Sequence, residues 1–162
     1  MGLLGWLGLR RDGSFGNLEA VMRELRKALP DDEACVLRYI AIVTVLLGKV
    51  AHADGEFSEA EEKRLRALLE QDGRLSGASV EAICGLLRGK VPSLSRDELD
   101  ACYRELRGLC DGSERAQVMR LLNELAALDG TPSTRELNEL ADIARALGVE
   151  ANPPADDASN RS

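Results

Sequence analysis

The sequence predicts an all-α fold, a single bundle of about seven helices. Three observations point to it. Aromatic residues make up only 3% of the chain (Trp6, Phe15, Tyr39, Phe57 and Tyr103), so the core must be built from Leu, Ala, Val and Ile, and little is available to fill strands. Apolar residues recur every three to four positions in seven segments, each bounded by helix-capping or helix-breaking residues. No segment alternates with period two over a useful length. The 162 residues suit one domain, and a chain of this size buries roughly 70% of its unfolded surface without disulfides or a structural metal.

The first helix is expected over Leu18 to Leu29, where Pro30 ends it. The second, from Ala34 towards Asp54-Gly55, is entered through Asp31 and Asp32. It is apolar nearly all round, with ten uncharged residues between Arg38 and Lys49. That run is well short of the ~20 residues needed to cross a bilayer, so it reads as the buried central helix. The third starts at Ser58 and aligns Leu65, Leu68 and Leu69. The short fourth carries Val80, Ile83, Cys84 and Leu87. The fifth follows Val91-Pro92 and the cap Ser95, with a stripe of Leu99, Cys102, Tyr103, Leu106, Leu109 and Cys110. The sixth runs from near Ser113 through Val118, Leu121, Leu122 and Leu125 to Asp129-Gly130. The seventh starts at Ser133, carries Leu137, Leu140, Ile143, Ala144 and Leu147, and stops at Gly148. Gly48 and Gly85, inside helices, are assigned to close helix contacts.

Charge and residue counts exclude several functions. The chain has 28 acidic and 21 basic residues, a net charge of −7, which argues against nucleic-acid binding through a basic face. The one histidine, His52, cannot form a zinc site of two or more His. Cys35, Cys84, Cys102 and Cys110 contain no CxxC pair and read as reduced, packed thiols of a cytosolic protein. No nucleophile–base order, phosphate-cradling glycine loop or activated cysteine is visible, so no enzyme is expected.

Residues 1–16 form an apolar, glycine-rich arm, read as flexible. Its run from Leu3 to Leu9 is too short to span a membrane, and Arg10 and Arg11 follow it where a secretory signal would have charges ahead. Residues 3–11 suit a weak contact with a membrane surface. Residues 151–162, reading ANPPADDASNRS, lack apolar anchors and are expected to be a disordered tail. The domain is assigned to 17–150.

A repeat organises the rest. Residues 46–65 read LLGKVAHADGEFSEAEEKRL, and residues 121–140 read LLNELAALDGTPSTRELNEL. The shared unit is LLxxxAxxDGxxSxxExxxL, two helix-loop-helix hairpins that an approximate twofold would relate. Capping explains much of it. Gly55 and Gly130 can close helix C-termini, and Ser58 with Glu61, and Ser133 with Glu136, form capping boxes. Asp54 and Asp129 are harder to explain, because a carboxylate at a helix C-terminus opposes the dipole. With Asp54, Glu56, Glu59, Glu61 and Glu62, five of nine residues from 54 to 62 are acidic. Oxygen donors gathered in a loop suit hard cations such as Ca²⁺ or Mg²⁺, although the EF-hand ladder is absent. Lys63, Arg64 and Arg66 are read as balancing this run on a solvated face. His52 has Ala127 as its repeat counterpart and so stands outside the duplicated device.

The segments AHADGEFSEAEEKRL (51–65) and ALDGTPSTRELNELADIARALGV (127–149) resemble the two signature segments of TerB-like domains. That family takes in tellurite-resistance proteins and the N-terminal domain of a membrane-anchored DnaJ-like co-chaperone. The resemblance covers about residues 17–150. It implies an all-helical bundle with internal pseudo-symmetry and a non-enzymatic, cytoplasmic role in a stress-response assembly, peripheral to the inner face of the membrane. It also implies divalent-cation binding by the family's acids, which fall here on Asp54, Glu61, Asp129 and Glu136. The partner implied is a protein of that assembly. A second reading is a metal-independent module whose acidic surface docks a basic partner or a membrane-associated complex. The chain departs from the family pattern at Leu128, where Ala is common, and at Pro132. It carries no DnaJ-like region, so no chaperone-recruiting role is expected.

Overall fold

A computed structural model describes residues 16–53, 57–71, 75–88, 94–128 and 130–151. The N-terminal arm, the tail beyond Ala151 and both repeat aspartates, Asp54 and Asp129, lie outside them. Seven helices and no strand occur among the described residues: α1 (Gly16–Ala28), α2 (Ala34–Ala51), α3 (Glu59–Gln71), α4 (Gly77–Arg88), α5 (Arg96–Leu109), α6 (Gly112–Ala126) and α7 (Thr134–Leu147).

The apolar α2 is the axis of the bundle. By length and composition it could cross a membrane. Here it packs against α1, α4, α5, α6 and α7 and buries Leu37 through Val50 with the exceptions of Arg38, Tyr39 and Lys49. Around it, α1 also lies on α4, α3 on α4, and α5 and α6 on α7. Leu46, Leu47, Val50, Leu65, Leu87, Leu106, Leu122 and Ile143 are completely buried, so one aliphatic core joins all the helices. Thr44 is accommodated because its hydroxyl donates to the Ile40 carbonyl at 2.7 Å. Arg38 ties α2 to α5 through a two-pronged contact with Glu105, one prong being Nη2 to Oε2 at 2.7 Å.

The capping signals locate the helices well. Ser58–Glu61, Ser95–Glu98 and Ser133–Glu136 each form both halves of a capping box. A fourth box, Asp111–Glu114, starts α6 two residues ahead of the expected Ser113. At α2 the N-cap is Glu33, whose side chain makes no capping bond, rather than Asp31 or Asp32. Ala34, Cys35 and Val36 are exposed at that end, and the first buried residue of the helix is Leu37. Two stripe residues are not covered: Leu109 is 38% exposed and Leu137 51%.

Gly85 corrects one expectation. A Cβ at that position would meet no atom within 4 Å, so no close helix contact requires it, whereas Gly48 is buried inside α2. Gly85→Ala should raise stability by about 1 kcal/mol through helix propensity, read as a higher urea midpoint with an unchanged slope.

The thiols divide three to one. Cys84, Cys102 and Cys110 are buried and Cys35 is exposed, so the expectation of four packed thiols fails at the first turn of α2. Burial pushes the Cys84 thiol up and the Cys102 thiol up to about 11, which keeps both protonated and unreactive. An aromatic disulfide reagent at pH 8 should label one thiol per native chain rapidly, and Cys35→Ser should abolish that phase.

Candidate functional site

The duplicated unit is legible in backbone geometry as well as in sequence. Both first helices end the same way. His52 N–H donates to Gly48 O at 3.0 Å and Ala53 N–H to Val50 O at 3.3 Å. Their repeat counterparts Ala127 and Leu128 donate to Asn123 O and Leu125 O at 3.1 and 3.2 Å. The C-caps match too, at φ −100°, ψ 6° for His52 and φ −90°, ψ 1° for Ala127. Gly130 takes φ 115°, a conformation that favours glycine. Both helices stop earlier than the spacing suggests, at Ala51 and Ala126. Asp54 and Asp129 therefore follow the last helical residue by three positions, where the dipole effect has fallen away. The dipole argument for a compensating cation loses most of its weight.

Packing around the repeat is less regular. The two first helices, α2 and α6, pack on each other, but α6 pairs with α7 while α2 and α3 form no comparable contact. The helix pairings thus do not display a twofold, although equivalent elements occur in equivalent order.

Two arginines join the loops. Arg64 of α3 donates to the carbonyl of Leu128, the residue before Asp129. Arg135 of α7 donates to the carbonyl of Ala53 at 3.2 Å, the residue before Asp54. Each hairpin therefore reaches across to the helix end of the other, and the accepting residues are repeat equivalents. Ala53 and Leu128, the residues just ahead of the two DG sequences, are thus each bonded to the second helix of the opposite hairpin. Sequence reasoning missed these two residues. Arg64 was assigned to a solvated face, and the donors are 71 positions apart where the repeat offset is 75, so no pattern marked them.

The four candidate ligands stand as follows. Glu61 Oε2 accepts from Ser58 N–H at 2.6 Å and Glu136 Oε2 from Ser133 N–H at 2.8 Å. Both carboxylates are held at the start of the second helix of their hairpin, and Glu136 uses only one of its two oxygens in the box. Asp54 and Asp129 lie outside the described residues. Among the described residues, no group of three or more His, Cys, Asp or Glu is placed to hold a metal. His52 stacks at a tilt against Phe57, ring centroids 6.1 Å apart, which ties the helix end to the far side of its loop.

The acidic run does not act as one cluster among the described residues. Glu62 turns away to α4, where Arg88 Nη2 meets it at 2.8 Å, and Arg66 contacts both Glu62 at 3.3 Å and Glu81 at 2.5 Å. Hydrogen bonding from Arg88, against the opposing effect of burial and with help from Arg66, holds the Glu62 carboxyl below its ordinary value of 4.5. A depressed carboxylate stabilises the fold above its unfolded pKa and loses that contribution as pH falls through the folded value. Glu62→Gln should therefore cost about 1 kcal/mol at neutral pH, because Arg88 is half exposed and screened. The difference from wild type should shrink below pH 4.5 in paired urea melts.

The model of the family described as Tellurite resistance protein TerB matches residues 40–154, from the middle of α2 past the end of α7. No curated protein and no solved structure matches the chain.

Proposed function

The chain belongs to the TerB family of tellurite-resistance proteins, and we propose that its two DG loops together bind a divalent cation. The observation that supports this reading is the reciprocal reach of Arg64 and Arg135, which ties the residue ahead of each DG loop to the opposite hairpin. Asp54 and Asp129 would supply carboxylates from the loops, and Glu61 and Glu136 from the helix starts. All four donors are hard oxygens, which suits Ca²⁺ or Mg²⁺ over softer metals. Once bound, the cation would bridge the two hairpins and offset part of the chain's net charge of −7. No substrate chemistry is assigned to it. The module is non-enzymatic, cytoplasmic and placed at the inner face of the membrane, where residues 3–11 supply a weak surface contact and a stress-response protein is the partner.

The second reading rests on the capping boxes, which account for Ser58, Glu61, Ser133 and Glu136 without a metal. In that case the acidic surface docks a basic partner directly. Melting the protein with chelator and with Ca²⁺ or Mg²⁺ separates the two. Cation binding raises the melting temperature of the wild type and not of an Asp54→Asn/Asp129→Asn variant. Partner capture that survives chelation and weakens with salt supports direct docking.

A further inference from the structure

The repeat leaves one helix without a counterpart. At an offset of 75, α1, α2 and α3 correspond to α5, α6 and α7, and nothing described corresponds to α4. In the first half, Ser76 caps α4 by accepting from Ser79 N–H at 3.1 Å, and α4 then packs on α3. The residue equivalent to Ser76 is Ala151, where the described chain ends. The C-terminal tail therefore begins at the point where a fourth helix would begin.

A groove lies at that point, between α6 and α7. Its volume is about 430 Å³, and Ala127, Pro132, Leu137 and Leu140 line it together with Asn123, Glu124 and Ala151. Leu137, half exposed, stands in the groove at the repeat position of Glu62. In the first half that position faces α4 and pairs with Arg88, whereas here it is apolar. The chain is steered towards the groove. Gly148 turns it with φ 69° and ψ 36°, Val149 N–H donates to Ala144 O at 3.0 Å, and Asn123 Nδ2 donates to the Ala151 carbonyl at 2.6 Å. Two residues further on come Pro153 and Pro154. At 3.1–3.6 Å per residue, Pro153 is within roughly 7 Å of the Ala151 anchor.

We infer that Pro153, Pro154 and Ala155 of this chain's own tail occupy the groove as an extended strap over Leu137, taking the place that α4 holds on α3. Prolines suit this occupant: they are apolar, need no backbone N–H partner, and enter an extended conformation with little loss of freedom. The strap requires no cation and is independent of the cation reading.

Methyl and amide NMR on the full chain tests the strap, with a version ending at Ala151 and a Leu137→Ser variant. Leu137 is half exposed, so Leu137→Ser should keep the fold. The expected results are contacts between proline ring protons and Leu137 methyls, and a shifted Leu137 methyl signal after truncation. Amide exchange around Leu137–Leu140 should be several-fold faster in the truncated chain. In Leu137→Ser, residues 153–157 should gain fast motion. A Leu137 signal identical with and without the tail overturns the inference. So does a Leu137 signal that moves only with protein concentration, which would put a second copy in the groove.

Discussion

Leu46→Ala should cost about 3–5 kcal/mol, the range for a fully buried leucine whose cavity cannot collapse. Leu121→Ala, the same substitution at the repeat-equivalent position, should cost only about 1–2 kcal/mol. Leu46 is completely buried, and α2, which carries it, is wrapped by five helices. Leu121 sits on α6 and is only partly buried against the core. Urea melts of the two variants measure the difference directly, because two-state slopes should stay equal. Equal costs would mean that α2 and α6 play equivalent parts, in conflict with the packing described above. The comparison isolates what the fold adds to the repeat: the same leucine in the same sequence unit carries a different energy in each copy.

The second large effect is cation-dependent stability. If Ca²⁺ or Mg²⁺ binds the folded chain alone, saturation at 100 times Kd adds about 2.7 kcal/mol. For a domain of this size that corresponds to a rise of several degrees in the melting temperature. Asp54→Asn/Asp129→Asn should remove the whole increment while leaving the stability in chelator nearly unchanged, since asparagine keeps the size and polarity of aspartate. Glu61→Gln and Glu136→Gln should behave differently. Each also weakens a capping box worth about 1 kcal/mol, so stability should fall in chelator as well. This separates ligands that serve only the cation from ligands that also build the helix start. An equal cation increment in wild type and in the double Asn variant would place any bound metal elsewhere.

Much of the fold was legible because its signals are local. Apolar spacing marked all seven helices, and Ser95, Ser133 and Gly148 act as the stops and starts that their chemistry suggests. The central position of α2 followed from its lack of a polar face. What escaped the sequence depends on tertiary packing. The start of α6 is displaced because the Asp111 cap outcompetes Ser113, and α2 starts after Glu33 with no side-chain cap. Leu109 and Leu137 satisfy the helical period yet remain exposed, since periodicity marks a face and does not say what covers it. Gly85 was assigned a contact that the bundle does not make.

The candidate site divides along the same line. The duplicated DGxxSxxE unit is visible from residue order alone, and its serine and glutamate do cap helices. The arginines that join the two hairpins are not visible, because their acceptors are backbone carbonyls and carbonyls have no sequence signature. The acidic run was read as one group of five. Its described members part company, with Glu61 capping α3 and Glu62 paired to α4. Density of charge along the chain therefore overstated density of charge in space.

The central claim is that both DG loops build one cation site, and amide NMR during a Mg²⁺ or Ca²⁺ titration tests it most directly. Signals from residues 57–58 and 130–133 should move together along one binding curve, with one cation per chain. Asp54→Asn or Asp129→Asn alone should abolish the response in both loops. Signals that stay fixed up to millimolar cation, or loops that titrate with separate constants, would contradict it.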